Sequence, residues 1–274
     1  MELRQVALEV ARILQDAGKH ALNDQMNPRD LKSFEMTDNH LSFTSDIDKR
    51  LAQFISNRIT YVDVFDGFWQ FRPEECHPGE RYWCVGGIDG AINFVRSMPE
   101  WTITVSLFEF NDQCSAQPIL SVVHAPALGL TYLAVRGSGA IRKTPLGDKR
   151  EKIMPSTTPS LDYAVVSFGM SHVPEESKRA LEVVSRISGR PADIKRVGPS
   201  SLDLCKVADG TYDAYFEAHL HKWDVPAVSA GAVVVWEAQG HLSRWNGDLV
   251  HWRQENDVLA TNGLITDDLR QYLA

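Results

Sequence analysis

Tyr82-Trp83-Cys84-Val85-Gly86-Gly87-Ile88-Asp89-Gly90-Ala91-Ile92-Asn93-Phe94 is the stretch on which the fold turns. Its apolar start reads as a buried strand, a glycine pair interrupts it, and Asp89 leads into what reads as a helix start. Such a junction puts backbone N–H groups at the positive end of a helix, where an anion such as phosphate is held without a side chain. Glycine lets a ligand approach the backbone closely. Asp89 has two readings. It is a helix N-cap accepting from the N–H of Ala91 or Ile92, or a metal ligand with a free oxygen facing a cleft at the strand end.

The surrounding composition is that of a globular protein, with 274 residues, 43% hydrophobic and 23% charged, enough for one large domain or two small ones. A formal net charge of -8 and the absence of a Lys/Arg run argue against a nucleic-acid partner. No apolar run approaches the length of a membrane span, so no membrane partner is expected. Met1-Glu2-Leu3-Arg4 leads into an amphipathic helix instead of a signal peptide, and the expected location is cytoplasmic. Cys76, Cys84, Cys114 and Cys205 show neither a CxxC pair nor zinc-type Cys/His spacing and read as reduced thiols.

Working outward, helical spacing predicts a helix over 3–17 with Gly18 as its stop, then a poorly periodic polar stretch. A second helix opens at Thr44 to Asp46 and runs through Phe54, Ile55 and Ile59. Asp46 and Asp48 in its first turn read as acids favoured by the helix dipole. A short strand is expected over 61–65, with Glu74-Glu75 in the following loop. Alternation over 102–107, and over 118–123 with 130–135, predicts antiparallel sheet. The Lys/Pro/Ser/Thr-rich segment 144–159 marks a boundary between an N-terminal α+β half, 1–150, and a C-terminal α/β half, 151–274. That second half reads as strand 163–167, helix 175–187, strand 193–197, helix 202–208, strand 214–217 and helix 225–238 ended by Gly240. Ser200 and Ser201 have a capping reading ahead of the Leu202 helix, as Asp224 has ahead of the Val225 helix.

Asp46, Glu74, Glu75, Asp89 and Asp224 all sit at helix starts or on loops, from which side chains converge on a cleft. Converging carboxylates repel unless a cation lies among them, and Mg²⁺ with a phosphate substrate suits such a site.

The order Asp46, Glu74-Glu75, Ile88-Asp89-Gly90-X-X-Asn93-Phe94, then Trp223-Asp224-Val225-Pro226-Ala227, resembles the inositol monophosphatase superfamily of Mg²⁺-dependent, lithium-sensitive phosphatases. Pro199-Ser200-Ser201-Leu202 and the segment 208–215 extend the resemblance over nearly the whole chain. It implies a layered α-β-α-β-α sandwich, a homodimer, and hydrolysis of a small phosphomonoester such as an inositol, sugar or nucleotide phosphate. It also implies that Glu74, Asp89, Asp224 and the Ile88 carbonyl bind metal, with Glu74, Asp46 and Asp89 catalytic. The amides of Gly90 and Ala91 would hold phosphate, and Ser200, Ser201, Glu217 and His221 would surround the rest of the substrate.

The chain departs from the family pattern at three positions. Gly86 and Gly87 stand where the family has Asp-Pro, whose Asp bridges two metals, and Ala91 stands where a Thr or Ser helps to activate water. The expectation is a metal-dependent phosphatase with a weakened site, holding Mg²⁺ or Mn²⁺ as a single or loosely bound ion. The alternatives are an inactive pseudophosphatase that binds a metabolite or regulates a partner, and a repurposed non-hydrolytic enzyme. The metal readings require Glu74, Asp89 and Asp224 to lie within reach of one ion.

Overall fold

In the computed structural model the described residues are 2–26, 34–36, 43–62, 66–145 and 149–273. The helix read as ending at Gly18 continues: α1 spans Leu3–Gln25. Gly18 is a packing residue inside it, because a Cβ there would lie 2.8 Å from His124 Cδ2 and from Pro126 Cγ. Helix propensity alone favours Gly18→Ala by about 1 kcal/mol. Overpacking of this kind costs about 1–3 kcal/mol. We therefore expect Gly18→Ala to lower the midpoint of chemical denaturation, a sign opposite to that of propensity.

β1 (Phe34–Met36) and β2 (Phe43–Ser45) pair antiparallel, and α2 (Asp46–Ile59) follows at once. The strand expected over 61–65 is not formed at Tyr61 and Val62, which lie in a turn, and its remainder falls outside the described residues. A seven-stranded sheet comes next in spatial and chain order: β3 (Gly67–Phe68), β4 (Arg81–Asp89), β5 (Thr102–Phe110), β6 (Ala116–Ala125), β7 (Leu130–Val135), β8 (Gly139–Lys143) and β9 (Arg150–Lys152). Only β3 and β4 run parallel within it. The sheet thus reaches Lys152, just past the boundary expected at residue 150.

β4 is apolar on both faces because both faces are covered. Trp83 and Val85 pack with Val6, Val10, Leu14, Leu51 and Ile55 of α1 and α2. Tyr82 and Cys84 face the other way. There they meet a central layer made by α5 (Ser200–Ala208) and α6 (Val225–Glu237). Between sheets, α6 has no solvent face, which is why it is built of Val, Ala and Gly almost throughout.

The second sheet contains β10 (Val165–Phe168), β11 (Asp193–Lys195), β12 (Ala214–Leu220), β13 (His241–Ser243) and β14 (Asn256–Thr261), ordered β11-β10-β12-β14-β13. Its outer face is covered by α4 (Pro174–Ile187) and α7 (Thr266–Arg270) through Ala180, Val183, Ile187 and Leu269. Helix, sheet, helix, sheet, helix is the expected five-layer order. No helix among the described residues is long and apolar enough to cross a membrane.

Where β4 reaches its glycine pair, pairing with β5 slips between Val85 and Ile88, a bulge that re-aims the strand end. Gly90 then turns the chain at φ 88° into the short α3 (Ala91–Val95). A Cβ on Gly90 would press 3.2 Å from the Glu100 carbonyl oxygen, so both backbone and space demand glycine.

Candidate active site

The end of β4, the start of α2, the starts of α5 and α6 and the end of β12 meet around one cleft of about 450 Å³. Asp48, Gly86 to Asn93, Arg196, Ser200, Asp203, Glu217, His221 and Asp224 are among its lining residues.

Neither acid with a capping reading caps a helix through its side chain. Gly90 occupies the N-cap position of α3, and the Asp89 carboxylate turns instead to α5. Its Oδ2 accepts from Ser201 Oγ at 2.6 Å and from the Ser201 amide at 3.1 Å. Asp224 sits at the N-cap of α6 without a side-chain cap bond, and its Oδ2 accepts from the His221 amide at 2.9 Å. Both carboxylates are held in fixed orientations beside the cleft.

Other expected site residues lie elsewhere or are otherwise engaged. Glu74 is exposed in the loop before β4, where its carbonyl accepts from Arg253 at 2.8 Å, and it does not line the cleft. Glu75 is likewise exposed and outside. The condition that Glu74 share an ion with Asp89 and Asp224 is therefore unmet, the metal readings as first framed do not hold, and any ion here would have to be held without Glu74. From the preceding segment Gln70 Nε2 donates to the Val85 carbonyl at 3.1 Å, and Asp66 Oδ2 accepts from the Arg81 amide at 2.7 Å. Asp46 opens α2, and its side chain falls outside the described residues. Asp48, one of the pair read as dipole-favoured acids, is the α2 residue that lines the cleft, and it accepts from the Ile88 amide. Ser200 and Ser201 are the first residues of α5, not caps ahead of it. Ser200 lines the cleft, whereas Ser201 is fully buried and committed to Asp89 and to Thr102 Oγ1 at 2.6 Å. Glu217 accepts from the Tyr215 hydroxyl at 2.8 Å, and His221 Nε2 meets Glu176 Oε2 at 2.9 Å.

Asp203, absent from the expected set, is the least compensated acid of the site. Both its carboxyl oxygens are buried without a hydrogen-bond partner. Burial pushes it up to about 7, against the pull of Lys206 and Arg196. Burial also lifts Glu217 to about 7, with repulsion from Asp89 and Asp203 adding to it. Asp224 is raised by burial and then by Glu217, Asp89 by burial despite Ser201, and Asp48 by burial with Asp89 contributing. Five acids raised chiefly by burial, four of them also by a neighbouring acid, need protons or a cation nearby. The donors are all oxygen, which suits a hard divalent ion of the Mg²⁺ or Mn²⁺ kind, although among the described residues no three of these carboxylates place an oxygen within 4.8 Å of one another. A second ion bridged to the first does not fit, since Gly86 offers no carboxylate and Glu74 is elsewhere.

A pH dependence follows. Asp203 and Glu217 bind protons in the folded chain up to about pH 7 and release them near 4 when unfolded, so without metal they stabilise less as pH rises. Taken at about 7 each, the two groups together lose on the order of 1.5 kcal/mol between about pH 6.5 and 8. That corresponds to a fall of about 3–6 °C in Tm. Buried His124, lowered to about 4, acts oppositely between about pH 4 and 6.5, but one histidine offsets only part of what the two acids lose over that range. Thermal melts in EDTA are expected to show Tm falling as pH rises from about 5 to 8, and added Mg²⁺ to raise Tm more at pH 8 than at pH 6. A Tm that climbs steadily to pH 8 in EDTA would contradict this charge arrangement.

Comparison with known proteins agrees with the layers. A Thermotoga maritima IMPase structure superposes with a TM-score of 0.78 at 25% identity, covering 96% of this chain and 94% of that one. The suhB structure of Bartonella henselae gives 0.79 at 22% identity over 100% and 98% of the two chains. Among curated relatives, a fructose-1,6-bisphosphatase/inositol-1-monophosphatase of T. maritima is 32% identical over 191 residues, 70% of this chain and 67% of that protein. A histidinol-phosphatase of Streptomyces coelicolor is 28% identical over 97% and 96% of the two chains. A putative Nus factor SuhB of Neisseria meningitidis is 30% identical over 67% of this chain, an alignment that spans 65% of that relative's length. The model of the Inositol monophosphatase family matches residues 2–274. The chain belongs to the inositol monophosphatase family.

Proposed function

We propose that this chain hydrolyses a small phosphomonoester, an inositol, sugar or nucleotide phosphate, using water activated by one divalent cation in an atypical, weakened site. The observation that carries this reading is the convergence of oriented Asp89 and Asp224 with Asp48, Asp203 and Glu217 in one cleft next to Gly90 and Ala91. Relatives named as phosphatases of inositol phosphate, fructose bisphosphate and histidinol phosphate support the reaction class without selecting the substrate.

Asp89, Asp224 and the Ile88 carbonyl are the metal donors in this proposal, with Mg²⁺ or Mn²⁺ as the ion. Such an ion, when bound, polarises a phosphoryl oxygen and lowers the pKa of a water. Ser201 and the His221 amide keep Asp89 and Asp224 from turning away. The amides of Gly90, at the N-cap, and of Ala91, in the first turn, receive the phosphate, because amides at a helix start have no acceptor within the helix. Asp48, tethered to the Ile88 amide, takes the proton from the attacking water. Ala91 has no hydroxyl to orient that water, and the lost orientation slows turnover on the order of a hundredfold. Ser200 and Glu217 face the rest of the substrate.

The test is phosphate release from inositol, sugar, nucleotide and amino-alcohol monophosphates with Mg²⁺ or Mn²⁺, repeated in EDTA. Release that depends on the metal supports the reading, and the best substrate names the physiological class. No metal-dependent release on any compound would overturn it. The second reading, a binding protein without turnover, would then hold, and the combination of Gly86, Ala91 and a distant Glu74 favours it.

A further inference from the structure

One wall of the cleft carries a donor set of a different kind from the carboxylate end. His219 and His221 are two residues apart at the end of β12, so they project to the same side, with ring centroids 4.3 Å apart. Glu176 comes to them from the first turn of α4. Its Oε2 lies 2.9 Å from His221 Nε2, and its Oε1 lies 3.6 Å from His219 Nε2. One donor atom from each residue lies within 4.8 Å of the other two. Tetrahedral coordination with bonds of about 2.05 Å sets neighbouring donors about 3.3 Å apart. The two measured separations, 2.9 and 3.6 Å, fall on either side of that value.

A second observation concerns His219 Nε2. It is buried and makes no hydrogen bond, although Glu176 Oε1 and Glu255 Oε2 stand 3.6 and 3.3 Å away. A buried imidazole nitrogen left unbonded among carboxylates costs free energy unless something occupies the space between them. His221 is fixed on its other side by stacking on Trp223, with centroids 4.2 Å apart and planes 15° off parallel.

We propose that Glu176, His219 and His221, with Glu255 as an outer fourth ligand, bind one borderline divalent cation of the zinc class. The site is separate from the all-oxygen donors around Asp89 and Asp224. Two imidazoles and a carboxylate select nitrogen-preferring metals over Mg²⁺, which demands oxygen and keeps its waters. An ion here ties the N-terminus of α4 to the end of β12 along one edge of the cleft. The proposal does not depend on phosphatase activity.

The test uses the full chain, stripped with chelator and returned to millimolar Mg²⁺ near pH 7.5. Calorimetric titration with Zn²⁺ is expected to give one site per chain with micromolar or tighter Kd, and Co²⁺ to give the visible absorption of a four-coordinate site. His219→Gln and Glu176→Gln are each expected to weaken Zn²⁺ binding by at least roughly tenfold with unchanged circular dichroism. Asp89→Asn is expected to retain it. The proposal is overturned if folded protein takes up no Zn²⁺, if both cluster variants bind it as wild type does, or if Asp89→Asn loses it equally.

Discussion

Asp224→Asn is expected to abolish metal-dependent phosphate release, by at least about a hundredfold, while Glu74→Gln leaves it within about twofold. The contrast tests the geometry directly, because the family resemblance assigns both residues to metal. A carboxamide has nearly the shape of the Asp224 carboxylate and retains an oxygen for the His221 amide, so the helix start is undisturbed. What is lost is one negative charge among the donors. The substitution does not work through unfolding, because the Asp224 carboxyl proton is held well above the ordinary range by burial and by Glu217. A neutral amide there relieves the repulsion on that charge, and Tm in EDTA at pH 8 is expected to equal or exceed that of wild type. Glu74 has only its backbone carbonyl tied down, by Arg253, and its side chain faces solvent. Equal losses in the two variants would mean that the loop before β4 folds over the cleft during turnover.

The strand, glycine turn and helix of 81–95 were legible because each signal is local: an apolar run, then glycine where φ must be positive, then helical spacing. The layer order was legible from the family resemblance together with alternating strand and helix patterns. The site was legible only in part, since its partners are set by tertiary contacts. Asp89 has the sequence surroundings of a cap, and only Ser201, 112 residues away, turns it into an oriented cleft acid. Asp46 and Asp48 lie about 200° apart around a helix, and the pattern that fixes α2 on the sheet through Ile47, Leu51 and Ile55 decides which of them faces Gly87. Glu74-Glu75 copies the family's acidic pair in composition but lies past the short helical turn from which Gln70 reaches β4. Asp203 and Glu176 gave no signal, since an acid in a first helical turn is ordinary in any sequence. Gly18 misled because a glycine at the end of a periodic run has the same appearance whether it stops a helix or makes room for His124.

Gly87→Ala is expected to destabilise the chain by about 2–3 kcal/mol, a large effect for one methyl group, and most of that loss is expected to vanish in an Asp48→Ala background. The reason lies in what fills the space of the missing Asp-Pro pair. A Cβ on Gly87 would overlap Asp48 Oδ1 and come within 3.0 Å of the Asp48 carbonyl oxygen. The same carboxylate accepts from the Ile88 amide, so the methyl group would displace Asp48 and strip that amide of its partner. At Gly86 a Cβ would overlap Thr104 Oγ1 and lie 3.2 Å from Pro226 Cβ. The departures from the family pattern at 86 and 87 are thus not simple deletions: Asp48 of α2 and Thr104 of β5 lie where side chains at these positions would stand. Reinstating Asp at 86 and Pro at 87 is accordingly expected to lower stability without restoring a two-ion site, unless Asp48 and Thr104 are given room as well. Denaturant midpoints of Gly87→Ala, Asp48→Ala and the double variant decide the matter, with additivity within about 0.5 kcal/mol counting against the overlap.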